Sequence, residues 1–138
     1  MNAIATSTHP AGLRLRRVPL ATGLAAVSEA RARVRRIVSA WRVPVDPDVV
    51  ALLTSELVTN AVRYEASPTV TVALRCSAGD LRVEVHDSSR AMPVPADASA
   101  DAENGRGLII VAALADEWGF YPTRRGKAVF FTLAFRGR

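Results

Sequence analysis

The stretch from residue 69 to 87, TVTVALRC followed by SAGD and LRVEVHD, constrains the fold more than any other part of the chain. Val70, Val72, Leu74 and Cys76 share one face of a strand, and Leu81, Val83, Val85 and Asp87 share one face of the next. A slip of one residue would turn the whole apolar set toward water, so the register is tightly specified. SAGD supplies the turn. One residue breaks the pattern: Asp87 occupies the inward register of a strand whose other inward residues are aliphatic.

A second anomaly of the same kind lies upstream. Asp46 and Pro47 suit the N-cap and first position of a helix that runs to about Tyr64, short of Ser67-Pro68. Val49, Leu52 and Leu53 form a stripe on it. At about 100° per residue, Glu56, Asn60 and Arg63 continue that stripe within roughly 60°. A carboxylate on such a face is costly to bury without a partner.

The rest of the chain reads more simply. Residues 1–12 are expected to be a loose tail, and 13–138 a single domain. LRLRRV at 13–18 reads as a short edge strand guarded by arginines. From Leu24 to Trp41 the apolar positions Leu24, Val27, Val34, Ile37, Val38 and Trp41 follow helical spacing, and Arg31, Arg33, Arg35 and Arg36 form a solvated face. Residues 88–104, SSRAMPVPADASADAEN, have no period and read as a lid or loop. Gly105-Arg106-Gly107 then leads directly into an apolar, buried helix, and WGFYP and AVFFTLAF close the chain as a hairpin.

With 138 residues and 49% hydrophobic content the chain is sized for one domain. Its single cysteine, Cys76, excludes an internal disulfide framework and fits a reducing, cytoplasmic setting. Neither a membrane span nor a signal peptide is expected. The formal charge of +5 is carried by 17 arginines and one lysine, Lys127. That Arg-for-Lys usage alongside abundant Ala and Val is better explained by coding bias than by nucleic-acid binding, and no aromatic residues interleave Arg31, Arg33, Arg35 and Arg36 for base stacking. Gly126-Lys127-Ala128 lacks the preceding glycine and the hydroxyl of a phosphate-binding Walker loop.

A nucleotide with a divalent cation would answer all the anomalies at once. Glycines admit phosphate close to the backbone, and a helix N-terminus favours the anion. The carbonyl oxygen of Asn60 is a hard ligand of the kind Mg²⁺ takes. Glu56, one turn away, can orient or deprotonate an attacking hydroxyl, or touch the metal through water. Asp87 can accept from the exocyclic amine of adenine, which guanine does not offer in that place. Plainer readings stand beside these: Glu56 and Asn60 on an exposed face, Asp87 capping a turn, and the glycines as a tight turn.

The order of these motifs over roughly residues 13 to 135 resembles the GHKL (histidine-kinase-like) ATPase domain, in particular the small anti-sigma-factor serine/threonine kinases. Glu56, Asn60 and Ala61 match that family's N-box, Asp87 its adenine-contacting Asp, and Gly105 and Gly107 its Gly-x-Gly. Ser89 stands where the family has glycine, Tyr64 where many N-boxes have His, and Glu103-Asn104 where some kinase members have a basic residue. The resemblance implies an α+β fold, a two-layer α/β sandwich with a mixed, mostly antiparallel sheet and helices on one face. It also implies ATP and Mg²⁺ as ligands. Glu56 would be the base, Asn60 the metal ligand, and Glu56, Asn60, Arg63, Asp87, Ser89, Gly105, Arg106, Gly107 and Leu108 the ATP-contacting set. Arg106 or Arg90 would stabilise the transferring phosphate. The implied activity is serine/threonine kinase action on an anti-sigma-factor antagonist, with sigma-factor binding and a homodimer as further options. A non-catalytic ATP-binding switch is the alternative, and a basic nucleic-acid-binding module a third.

Overall fold

The computed structural model describes residues 7–8, 12–63, 68–89 and 102–135, with side chains for all of these except 7–8 and 102–106. In chain order the elements are β1 (Ser7–Thr8), β2 (Arg14–Ala21), α1 (Ala26–Trp41), α2 (Pro47–Arg63), β3 (Thr69–Cys76), β4 (Asp80–Asp87), α3 (Ala102–Leu114), β5 (Glu117–Pro122) and β6 (Lys127–Ala134). The strands form one sheet in the order β1-β2-β3-β4-β6-β5. Every described strand pair is antiparallel, so the parallel part expected of a mixed sheet is not found among the described residues.

One face of the sheet is buried under the helices. Val18, Leu20, Val70, Val72, Leu74, Leu81, Val83, Val85, Val129, Phe131 and Leu133 join Val34, Ile37, Val38, Val50, Leu53, Leu57, Val58, Leu108 and Val111 in a single core. The two-residue period of the strands meets the helical period of α1 and α2 there, which is the condition for a two-layer α+β fold. α1 and α2 pack on each other, α2 lies on β3, β4 and β6, and α3 docks on α2 and β5.

Several expectations are corrected by the structure. β2 runs on to Ala21, because Val18 and Leu20 continue the inward alternation and Pro19 faces out. Ser7–Thr8, assigned to a loose tail, pair with β2. Leu24 is fully exposed ahead of α1 rather than part of its apolar stripe, since the helix starts only at Ala26. α3 is buried along one side alone, with Leu108 and Val111 inward and Ile109 and Leu114 exposed. The expected helix start at Asp46-Pro47 is found: the Asp48 N–H donates to Asp46 Oδ1 at 2.9 Å. The arginines of α1 lie on its outer side, where Arg35 pairs with Asp48 at 3.1 Å and Arg33 approaches Glu29 at 3.9 Å.

The opposite face of the sheet has its own polar order. Glu84 accepts from Arg82 Nε at 2.6 Å and from the Tyr121 hydroxyl at 2.7 Å, and His86 Nε2 lies 2.9 Å away. The Arg82 guanidinium stacks 3.7 Å above the Phe130 ring. Burial pushes the Glu84 carboxyl up, but the hydrogen bonds from His86, Tyr121 and Arg82 and the guanidinium charge outweigh it and hold it at about 2. His86 therefore serves this outer cluster.

Candidate functional site

The core-facing side of α2 changes character midway. Of the expected stripe only Leu53 is buried core, with Val49 half-buried and Leu52 exposed; Val50, Ala51, Leu57 and Val58 form the rest of the core face. Asn60 is 5% exposed, and its side-chain Oδ1 is buried with no hydrogen-bond partner. A buried amide oxygen left unmatched costs about 1–3 kcal/mol, so an orphan of this kind calls for a ligand or a structural reason. Thr54 Oγ1 is the other such atom among the described residues. Arg63, expected to share the stripe, is exposed at the end of α2, so the structure does not bring it into the buried group.

Glu56 lies one turn before Asn60, half-buried, and desolvation by burial pushes its carboxyl above the ordinary value of 4.5. What it faces is α3. A Cβ added to Gly107 would stand 2.7 Å from Glu56 Oε1, so the missing side chain leaves room for that carboxylate. Glu56 and Gly107, predicted separately from sequence, are thus in direct apposition.

The phosphate cradle expected at Gly105 to Leu108 needs correction. α3 starts at Ala102, so Gly105 and Gly107 lie inside its first two turns instead of opening it. Ala102 and Glu103 are good helix formers, and an acid in the first turn suits the helix dipole, which lets the helix begin ahead of the glycines. Within the helix the N–H groups without intrahelical partners are then those of residues 102 to 104. Leu108 is core, at 1% exposure. The side chain of Arg106, and Arg90, Met92, Tyr64 and most of the expected lid, fall outside the described residues.

Asp87 points inward at the end of β4, as its register requires, but it already has strong partners. Lys127 Nζ lies 3.1 Å from both Oδ1 and Oδ2, and the Ser89 N–H donates to Oδ1 at 2.8 Å. Both side chains of the ion pair are 1% exposed. The turn-capping role considered for Asp87 is therefore real, and Ser89 takes part in it through its backbone. Lys127, which sequence reasoning passed over after its failed Walker match, is the buried partner of Asp87. One signal could have drawn attention to it: it is the chain's only lysine. Gly126, just before it, was also missed. A Cβ there would lie 2.1 Å from the Asp87 carbonyl oxygen and 2.5 Å from Ser88 Cα, so only glycine lets the β5–β6 turn close against the end of β4.

The donor set fits a single hard cation held mainly by something other than protein. Among the described residues no group of three or more His, Cys, Asp or Glu could hold a metal ion. Mg²⁺ needs no such cage, because it keeps waters and binds phosphate oxygens alongside one or two protein oxygens, and the orphan Oδ1 of Asn60 supplies one.

Among the described residues no helix is long and apolar enough to cross a membrane. A search of curated proteins finds no match. The family model of the histidine kinase-like ATPase domain matches residues 20–133, from the end of β2 through β6, and the chain belongs to that family.

Proposed function

We propose that this protein is an ATP- and Mg²⁺-binding regulator that transfers the γ-phosphoryl group to a Ser or Thr hydroxyl of a protein partner. The observation that carries the reading is the partnerless Oδ1 of Asn60, buried one helical turn beyond a carboxylate whose proton affinity is raised by burial. Glu56 takes the hydroxyl proton as that oxygen bonds to phosphorus and the bond to the ADP oxygen breaks. Its raised pKa suits a base at this step. Asn60 is the protein ligand of Mg²⁺, which offsets charge on the phosphates when bound. The unpaired N–H groups at the start of α3 attract the phosphate chain, and Gly107 gives Glu56 its clearance. An anti-sigma-factor antagonist as acceptor, a sigma factor as sequestered partner and a cytoplasmic, homodimeric state extend the same reading by family resemblance.

Asn60→Ala is expected to abolish Mg²⁺-dependent ATP binding, whereas Glu56→Ala retains binding and loses transfer. Isothermal titration with and without magnesium separates the two, and normal Mg-ATP binding by Asn60→Ala would refute the assignment. A second reading, a non-catalytic ATP-binding switch, is favoured by the ion pair that already engages Asp87 and by Ser89 in place of glycine. Labelled ATP incubated with candidate antagonists distinguishes them: bound nucleotide without any phosphoprotein selects the switch.

A further inference from the structure

The outer face of β3 is the floor of a trough. Its outward residues Thr71 and Ala73 are small and half-buried, while longer side chains rise from the strands beside it: Arg17 on β2 and Glu84 on β4 both stand opposite Ala73. Two cavities of about 300 and 330 Å³ lie along this floor and meet at Arg17. Arg75 and Arg82 line the first, and Arg124 and Arg125 of the β5–β6 turn line the second. Of the acids along the walls, Asp87 is paired with Lys127 on the helical side, and Glu84 is ringed by Arg82, Tyr121 and His86. The trough is left cationic. Arg75 and Arg82 are moreover direct cross-strand partners. Like charges set opposite one another on a sheet repel, so strand pairing alone disfavours this choice, and an anion between them would relieve it. Coding bias explains arginine in place of lysine but not where the arginines stand.

We propose that this trough docks an extended acidic segment of a protein partner. From Thr69 to Arg75 the floor runs about 20 Å, the length of about six residues in extended form. Alternate side chains of an extended chain repeat about every 7 Å, which is also the step from the row of Arg75 and Arg82 to the row of Arg17. Acids at alternate positions therefore meet successive arginines, and guanidinium forks suit carboxylates. A nucleic acid fits less well. Its bases need open ring faces, whereas Phe130 is covered by the Arg82 guanidinium at 3.7 Å and the Tyr121 hydroxyl is held by Glu84. A second copy of the chain fits less well again, because a two-fold contact would set this cationic face against itself. The proposal does not depend on nucleotide binding, since Glu56 and Asn60 lie on α2, across the sheet from the trough.

The test is fluorescence anisotropy of a labelled hexaglutamate peptide titrated with the full chain at low salt, beside a labelled six-nucleotide single-stranded DNA. The peptide should bind saturably and more tightly than the DNA. The double variant Arg17→Glu, Arg75→Glu should weaken it at least about tenfold, because each reversal turns an attraction into a repulsion. The double variant Arg31→Glu, Arg36→Glu changes the net charge equally on the outer side of α1, and should weaken it by less than about threefold. Equal losses in the two variants would mean attraction to net charge alone and overturn the inference. DNA bound at least as tightly as the peptide, or a dimer of the chain that the Arg17→Glu, Arg75→Glu variant breaks up, would give the trough to another occupant and overturn it too. Amide NMR of the wild-type chain decides the matter even if a variant fails to fold: peptide should shift Arg17, Thr71, Ala73 and Arg75, and shifts confined to α1, or none, would refute the docking.

Discussion

Replacing Gly107 with alanine should leave the fold intact and damage the site, and the structure sets the size of both effects. The added Cβ would meet Glu56 Oε1 at 2.7 Å, while Glu56 Cβ and Cδ, both at 3.8 Å, are already in ordinary contact. Relief requires the oxygen alone to retreat by about 0.7 Å, taking ordinary C···O contact as about 3.4 Å, and a rotation at the end of a flexible side chain achieves this at a cost well under about 1 kcal/mol. Against that, alanine is about 1 kcal/mol better than glycine inside a helix. Thermal melting should therefore show a Tm unchanged or raised by about 2–4 °C. The displaced carboxylate moves off α3 toward water, so its pKa should fall back toward 4.5, which carboxyl-carbon NMR reads directly. Misplacing a reacting group by about 1 Å costs on the order of a hundredfold in rate. In a Glu56→Ala background the same glycine change should have no further effect on transfer, because the two act through one contact. A Tm lowered by several degrees, or a loss of transfer that persists without Glu56, would show that Gly107 supports the fold instead.

Gly126→Ala should behave in the opposite way. Its Cβ would collide with backbone atoms of Asp87 and Ser88 at 2.1–2.7 Å, which cannot rotate aside, so urea unfolding should show a loss of about 3 kcal/mol or more; a loss under about 1 kcal/mol would refute the account. On the outer sheet face, Glu84 has a folded pKa of about 2, below its ordinary 4.5. Its contribution is therefore complete above about pH 4.5 and is lost as pH falls toward 2. Tyr121→Phe removes one donor at a partly exposed site and should cost about 1 kcal/mol at pH 7 but nothing near pH 2; an equal cost at both, by urea titration, would exclude the linkage.

What was legible in the sequence was whatever a local period or a single turn could carry. The β3–β4 hairpin follows from strict alternation around SAGD, and the start of α2 from Asp46-Pro47, because each signal lies within a few residues of the structure it dictates. Glu56, Asn60 and Asp87 were found as breaks in those periods. The start of α3 was misplaced because two glycines were read as punctuation, when helix formers ahead of them and contacts with α2 hold the helix through both. Lys127 was missed for a different reason. Its partner lies 40 residues away across a helix and an unpatterned segment, and only the pairing of β4 with β6 brings them together. Arg63 lies outside the buried stripe because it is the last residue of α2, beyond the turns that pack on the sheet.

The two carboxylates of this protein with clear opposite shifts separate structural from functional polarity. Glu84 is surrounded by donors that match its charge, and its pKa falls; it is a satisfied network of the kind that supports a sheet face. Glu56 is half-buried beside α3 with burial as the only resolved influence, and its pKa rises. One turn further on, Asn60 keeps a buried oxygen unmatched, and at the end of β4 an ion pair occupies a position that aliphatic residues would fill at less cost. Chains break local rules where function requires it, and here the buried breaks fall on the same helical side of one sheet, while Glu84 on the outer face is matched. A fold that merely tolerated stray polar groups would scatter such breaks over both faces; their confinement, among the described residues, to the side formed by α2 and the end of β4 is the physical ground for the proposed placement of the chemistry.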